Sequence, residues 1–306
     1  MSLVAILLCF LAQHTYPVSG RGPLTAFYGR MCLSAAKRLN SGDRNSGVIA
    51  WIALVGAVLA PVILLTLLGA AIHPALVWLL DILVLYGTLR FLETTRTLAA
   101  IELALREQNP SGAANVLAQW QAEPVETDDP GAVARLAAEH ALREAHLGTF
   151  GPLFWFLVLP GPIGLVFYPL ALRAAQSWSH LVEGEGRDFG WFAARAFAVI
   201  DWVPQRVSAF FFAVVGNFED ALYCWRSQAA AWLRPEEGIV LASGAGALGA
   251  RLGEAIPLGG ATVARPGLGT GEAAREETLA SLGGMLWRAL ILWLIVFALA
   301  GALQIA

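Results

Sequence analysis

Residues 48–72 run for 25 positions without a charge, and that one stretch limits what the chain can become. At about 1.5 Å per residue, a helix of this length spans a hydrocarbon core of about 30 Å with some tilt. In water it would have no polar face to turn outward. In lipid every backbone N–H and C=O must be bonded internally, and a helix does that by itself. The logic extends to residues 75–92 after the break at His73-Pro74, so the two stretches read as a helical hairpin. Pro61 is expected to kink the first member, and Asp81 and Arg90 interrupt the second. Composition agrees. Hydrophobic residues make up 57% of the 306 and charged residues 14%, whereas soluble domains carry about 25% charged residues. That is too little polar surface to coat a water-soluble globule of this size.

The remaining apolar stretches are less regular. Leu3 to Ala12 is short enough to cross only about half a bilayer, and it has neither a basic flank nor an A-x-A site. Phe150 to Leu172 is uncharged but holds Pro152, Pro160, Pro162 and Pro169, which predicts a broken span. Residues 196–216 are apolar apart from Asp201, Gln205 and Arg206, and residues 289–306 read as a last span. Between them, Leu98, Ile101 and Leu105, then Val133, Leu136, Ala137 and His140, repeat at helical spacing. The expected division is therefore 1–92 (membrane segments with the hairpin), 93–149 (amphipathic helices), 150–216 (proline-broken membrane helices), 217–288 (a polar, Gly-rich region) and 289–306 (a terminal membrane helix). Arg21, Arg30, Lys37, Arg38 and Arg44 face one acid, Asp43, between the first two apolar stretches, which places that side in the cytoplasm. The fold expected is all-α: a polytopic helical membrane protein, multi-pass in a bacterial inner membrane, with amphipathic helices and a Gly-rich loop on the cytoplasmic side.

Motifs narrow the chemistry mainly by exclusion. A net charge of −3 gives no electrostatic footprint for nucleic acid. Cys9, Cys32 and Cys224 form no C-x-x-C, and His14, His73, His140, His146 and His180 show no metal-ligand spacing. There is no G-x-S-x-G. Gly244 to Gly249 fits G-x-G-x-x-G but lacks the preceding strand that a dinucleotide site needs, and Gly267 to Gly271 lacks the ending of a P-loop. Glu183, Glu185 and Asp188 beside Arg187 could hold magnesium and phosphate, although a loop of this kind is more often simply solvated. Asp81, Asp201 and Arg206 are ionisable groups at membrane depth, where such groups are costly and commonly functional.

Order supplies the rest. Gly151-Pro152-Leu153-Phe154-Trp155, Arg187-Asp188-Phe189-Gly190-Trp191 and Asp201-Trp202-Val203-Pro204-Gln205-Arg206 follow one another, and then comes Gly246 to Gly253. The series resembles the CobD/CbiB membrane family of cobalamin biosynthesis. A sister branch, the regulatory membrane protein AmpE, is similar around Leu76 to Leu80 and Ala213 to Leu222. In the synthases of the family, resemblance implies an E-N-x-x-D-G segment where this chain reads Arg143-Glu144-Ala145-His146-Leu147-Gly148. It also implies an N-T-x-D-S run where Leu172 to Ser177 stands without an acid. Two readings follow. The first is a sensing or regulatory, AmpE-like member that has lost the synthase polar groups and works with a membrane partner protein, without a cofactor. The alternative is an adenosylcobinamide-phosphate synthase, joining an aminopropanol arm to a corrinoid with ATP and Mg. Transport through the broken helices ranks below both. The candidate functional residues are Glu144, His146, Arg187, Asp188, Trp191, Asp201, Trp202 and Arg206, with no catalytic or metal-binding role assigned to any of them.

Overall fold

The computed structural model describes residues 2–16, 23–179, 188–258 and 261–303. In chain order the helices are α1 (Ser2–Thr15), α2 (Pro23–Leu39), α3 (Arg44–Ile72), α4 (Pro74–Thr88), α5 (Phe91–Arg106), α6 (Pro110–Gln121) and α7 (Pro130–Ala145). A π-helical turn (His146–Phe150) follows, then α8 (Gly151–Val158), α9 (Ile163–Ser179), α10 (Trp191–Ile200), α11 (Trp202–Val215), α12 (Phe218–Gln228) and α13 (Pro235–Leu248). Short strands β1 (Ala250–Arg251), β2 (Ile256–Leu258), β3 (Ala261–Val263) and β4 (Glu272–Ala273) precede α14 (Glu276–Leu303). The chain forms a helical membrane protein in two compact units. One comprises Met1–Leu89, Gly151–Val203 and Phe297–Ala306, and the other Arg90–Phe150 and Pro204–Val296.

The first unit is built on the predicted hairpin. Asp43 caps α3 by accepting the Ser46 amide at 3.1 Å. His73 ends α3 and caps α4, its Nδ1 accepting from the Ala75 amide at 3.1 Å with Pro74 in the first helical position. Pro61 lies inside an uninterrupted helix. Ala50, Leu54 and Val58 bury one stripe of α3 against Val166, Leu170 and Ala174 of α9. Leu64, Leu65, Leu67 and Leu68 face outward, a disposition that only an apolar solvent tolerates. At the end of α4, where helical bonding stops, Gln13 of α1 donates to the Tyr86 and Leu89 carbonyls at 3.0 and 2.8 Å.

The proline-rich stretch is more than a broken rod. A Cβ on Gly164 would collide with the Trp155 carbonyl, and one on Gly151 with the Tyr168 ring. These pairings run in opposite directions, so α8 folds back on α9 as an antiparallel hairpin through Leu159–Pro162. Among the described residues three helical stretches are long and apolar enough to cross a membrane: Arg44–Ile72, Pro74–Arg106 and Glu276–Ala302. A fourth arises if α10 and α11, bent by 45° at Asp201, act together.

In the second unit α5, α6 and α7 pack on one another through Leu98, Ile101, Leu105, Val133 and Ala137 of the predicted stripes, together with Leu117 of α6. The Gly-rich region is shorter than expected. Residues 218–228 and 235–248 are helices, and the last helix begins at Glu276 rather than at Ala289. The G-x-G-x-x-G match closes α13. Gly244 sits against Leu142, Gly246 against the Asp220 backbone, and Gly249 is the left-handed cap at φ +63°. Its glycines serve close helix packing and helix termination. The loop proper follows α13, with β1 parallel to β4 and β2 antiparallel to β3.

Candidate functional site

The second unit concentrates its polar groups on α7. Asp129 caps the helix by accepting the Ala132 amide at 2.8 Å, and Pro130 opens it. Ala134, Ala137, Ala138, Ala141 and Ala145 are fully buried. Side chains this small let neighbouring helices close in, and Glu139 and His140 are buried along with them. Glu139 is satisfied on both oxygens. Arg265 donates to them at 2.7 and 3.2 Å, and the Gly253 amide donates at 2.8 Å. Burial pushes the Glu139 carboxyl up from its ordinary value, while Arg265, the Gly253 amide and Arg135 pull the other way. Arg265 also donates to the Gly253 and Glu254 carbonyls and lies 5.4 Å over the Trp232 ring. Arg135 pairs with Glu254 at 2.9 Å. The Gly-rich loop is thus pinned to α7 by two arginine–glutamate pairs. Gly253, at φ +79° with the Pro266 carbonyl against its α-carbon, leaves no room for a side chain.

A cavity of about 190 Å³ opens beside this network, lined by Glu139, His140, Arg143, Trp232, Leu241, Arg265 and the loop 123–127. Arg143 donates from Nη2 to His140 Nδ1 at 3.1 Å. A guanidinium can only donate, so Nδ1 is the bare nitrogen and the ring proton lies on Nε2. Burial, with Arg143 and Arg90 nearby, pushes the imidazole down to about 3, so His140 is neutral. Its Nε2 is buried without an acceptor among the described residues, and the ring packs edge-on to Trp120 at 4.5 Å.

Beyond Ala145 the helix widens into the π-helical turn, a distortion that often marks functional sites. Arg90 organises it. Its Nε reaches Glu93 at 2.9 Å, its Nη1 reaches Glu144 at 3.4 Å, and its amide donates to the Gly148 carbonyl at 3.1 Å. His146 Nδ1 lies 2.9 Å from Ser208 Oγ, both buried. One turn away on each helix, Thr149 Oγ1 and Gln205 Oε1 are buried without a hydrogen-bond partner among the described residues.

The other sequence candidates separate into smaller groups. In the first unit Asp188 and Trp191 meet at Arg44, by an ion pair at 3.3 Å and a cation–ring contact at 5.0 Å, both near the surface. Asp201, at the other end of the ten-residue α10, is buried and accepts from Tyr168 Oη at 2.8 Å. Trp202 is exposed and Arg206 half-buried on α11. Arg187, Glu183 and Glu185 lie outside the described residues. Reasoning from the sequence missed Arg90, Glu139, Ser208, Trp232 and Arg265. Of these only Glu139 carried a signal, as an acid next to the buried stripe of α7.

Comparison with known proteins places this arrangement. A family model described as "CobD/Cbib protein" matches residues 4–286. "Cobalamin biosynthesis protein CobD" of Stutzerimonas stutzeri is 34% identical over 284 residues, 91% of either chain. The protein of the same name in Chromobacterium violaceum is 37% identical over 168 residues, 55% of this chain and 53% of that one. "Cobalamin biosynthesis protein CbiB" of Salmonella choleraesuis is 24% identical over 267 residues, 84% and 82% of the two chains. No solved structure matches the chain significantly.

Proposed function

Because this chain belongs to the CobD/CbiB family, we propose that it acts in cobalamin biosynthesis, as the inner-membrane synthase that closes an amide bond between an aminopropanol arm and a corrinoid acid. The observation that carries this is similarity over 91% of the chain to a protein named for that pathway. The regulatory, AmpE-like reading gains no such support, since the relatives above are named for biosynthesis. Three features of the second unit suit a polar reaction at a membrane: a cavity, the neutral donor His140 of α7, and the cationic side chains of Arg143 on α7 and Arg265 on the loop.

ATP-driven amide formation needs magnesium held by oxygen donors. The described residues fit that ion poorly. No three Asp, Glu, His or Cys side chains converge among them. Glu93 and Glu144 share the Arg90 guanidinium, and Glu139 is taken by Arg265. What the chain's own residues offer is binding and orientation: Arg143 and His140 at the cavity, and His146 with Ser208 at the π-helical turn.

One observation favours a second reading. Arg143 and Leu147 stand where the resemblance implies a glutamate and an aspartate, which leaves a family fold without the amide-forming chemistry. Complementation separates the two. In a bacterium lacking its own synthase, this chain is expected to restore growth that requires finished cobalamin. Absence of growth despite verified membrane expression would overturn the synthase reading.

A further inference from the structure

We propose that Asp81, together with the proline-bounded end of α8, forms an intramembrane binding site for a monovalent metal cation of the sodium or potassium kind. Asp81 lies on α4, about 12 Å along the helix from the turn at His73. It is 7% exposed, and its Oδ1 is buried with no hydrogen-bond partner among the described residues. The elements packed around it bring no positive charge to meet it. The one charged residue of α3 is Arg44, at the opposite end of that helix and paired with Asp188. Residues 151–172 hold no charge, and Arg173 of α9 lies against Gly29 of α2. On α1, Cys9 is buried and His14 is exposed. A carboxylate withdrawn from water without a counter-charge is costly, and a cation bound with it relieves that cost. One uncompensated charge calls for a monovalent ion. No three Asp, Glu, His or Cys side chains converge among the described residues, which disfavours a divalent one.

The loop between α8 and α9 supplies further oxygen atoms. At Gly161, with φ +60°, a Cβ would come 3.7 Å from Asp81 Oδ1, 3.3 Å from Thr66 Cγ2 and 3.8 Å from Val77 Cγ1. The loop is thus seated in the α3–α4 hairpin beside the carboxylate, and the missing side chain keeps the space next to Oδ1 open. A proline stands on each side of this glycine. In a continuing helix the Phe156 and Val158 carbonyls would accept from the amides of residues 160 and 162, but Pro160 and Pro162 have no N–H. The end of α8 therefore carries carbonyl oxygens without their helical donors, at the negative end of the helix dipole. Half-helix ends of this kind coordinate alkali cations in membrane proteins, where carbonyl oxygens replace the hydration shell.

The test uses the full chain in a maltoside detergent. Its unfolding midpoint is followed as sodium or potassium chloride replaces choline chloride at constant ionic strength. A saturable rise of about 2 °C or more is expected for at least one of the two metals, since a ligand held only by the folded chain stabilises it. Asp81→Asn keeps the shape of the side chain and removes its charge, so it should abolish the rise. A second measurement needs no variant. Dicyclohexylcarbodiimide, an apolar reagent that adds to carboxyl groups, is expected to label Asp81 in choline chloride, read by mass spectrometry of the peptide. The metal that raises the midpoint should slow this labelling about tenfold at ten times its dissociation constant. A midpoint indifferent to both metals at near-molar concentration would overturn the proposal. So would a rise that survives in Asp81→Asn, or labelling of Asp81 that the metal does not slow.

Discussion

The two units solve the problem of solvent in opposite ways. In the first, large apolar side chains point outward along α3 and α4, and the interior holds few polar groups, such as Asp201 with Tyr168 and Trp178 donating to the Cys32 carbonyl at 3.0 Å. In the second, α7 buries an acid and a histidine at its centre, and the acid is answered by a partner more than a hundred residues away, Arg265. The lesson is that exposure means different things in the two. An exposed leucine of α3 is in its proper medium, while Leu233, outside every candidate span, is an ordinary surface residue. Conversely, a charge is tolerated inside the second unit only because every lone pair that matters is met.

The sharpest way to break this contrast is at the buried pair. Glu139→Ala should cost about 3–5 kcal/mol, because it leaves Arg265 buried and uncompensated. Thermal unfolding of the purified chain in detergent would show it, and a shift within the error of the native chain would mean that the pair carries no weight. Next in size is a matched pair of substitutions. Leu67, 63% exposed on α3, and Leu233, 69% exposed before α13, look alike by exposure alone. Leu67→Arg should disfavour insertion by about 2.5–3.5 kcal/mol if the position faces the bilayer centre. Leu233→Arg should change stability by less than about 0.5 kcal/mol. Equal membrane yields for the two variants would dissolve the distinction between the units.

A third prediction concerns pH. His140 is held neutral when folded, at about 3 against 6.5 for the free side chain, so below pH 6.5 the unfolded chain takes up a proton that the folded one refuses. Stability should be fully present above pH 6.5 and fall by about 1.4 kcal/mol per unit as pH drops from there towards 3. His140→Gln should flatten that part of a stability profile, and an unchanged slope would exclude His140 as its source. The smallest effect is expected from Tyr168→Phe, which removes the donor to buried Asp201 at a cost of about 1.5 kcal/mol. Comparing its midpoint with that of Trp178→Phe would show whether the charged acceptor matters more than the carbonyl.

How much of this was legible in the chain depended on whether the signal was local. Residues 48–72 announce their helix because no charge interrupts them, and Leu98, Ile101 and Leu105 announce α5 by spacing. The boundaries of α14 and the helices within 217–248 were hidden for a physical reason. Glu276, Glu277 and Arg288 make the start of α14 look like loop, and the glycines of α13 imitate a linker while in fact allowing Leu142 and Asp220 to approach closely. At the site, Glu144 and His146 stand out as departures from the segment that the family resemblance implies, but their partners Arg90 and Ser208 could be found only by folding. The same holds for Arg265, which no local pattern connects to Glu139.

The order of segments carries one more consequence. Gly151–Val203 belongs to the first unit yet sits between the two stretches of the second, and Phe297–Ala306 returns to the first after them. Neither unit is a contiguous piece of polypeptide, so no single cut yields two self-sufficient fragments. Each must be completed by chain that is synthesised only after part of the other has emerged. Assembly is therefore interleaved, and ending the chain at Leu89, Phe150 or Val203 removes material from both.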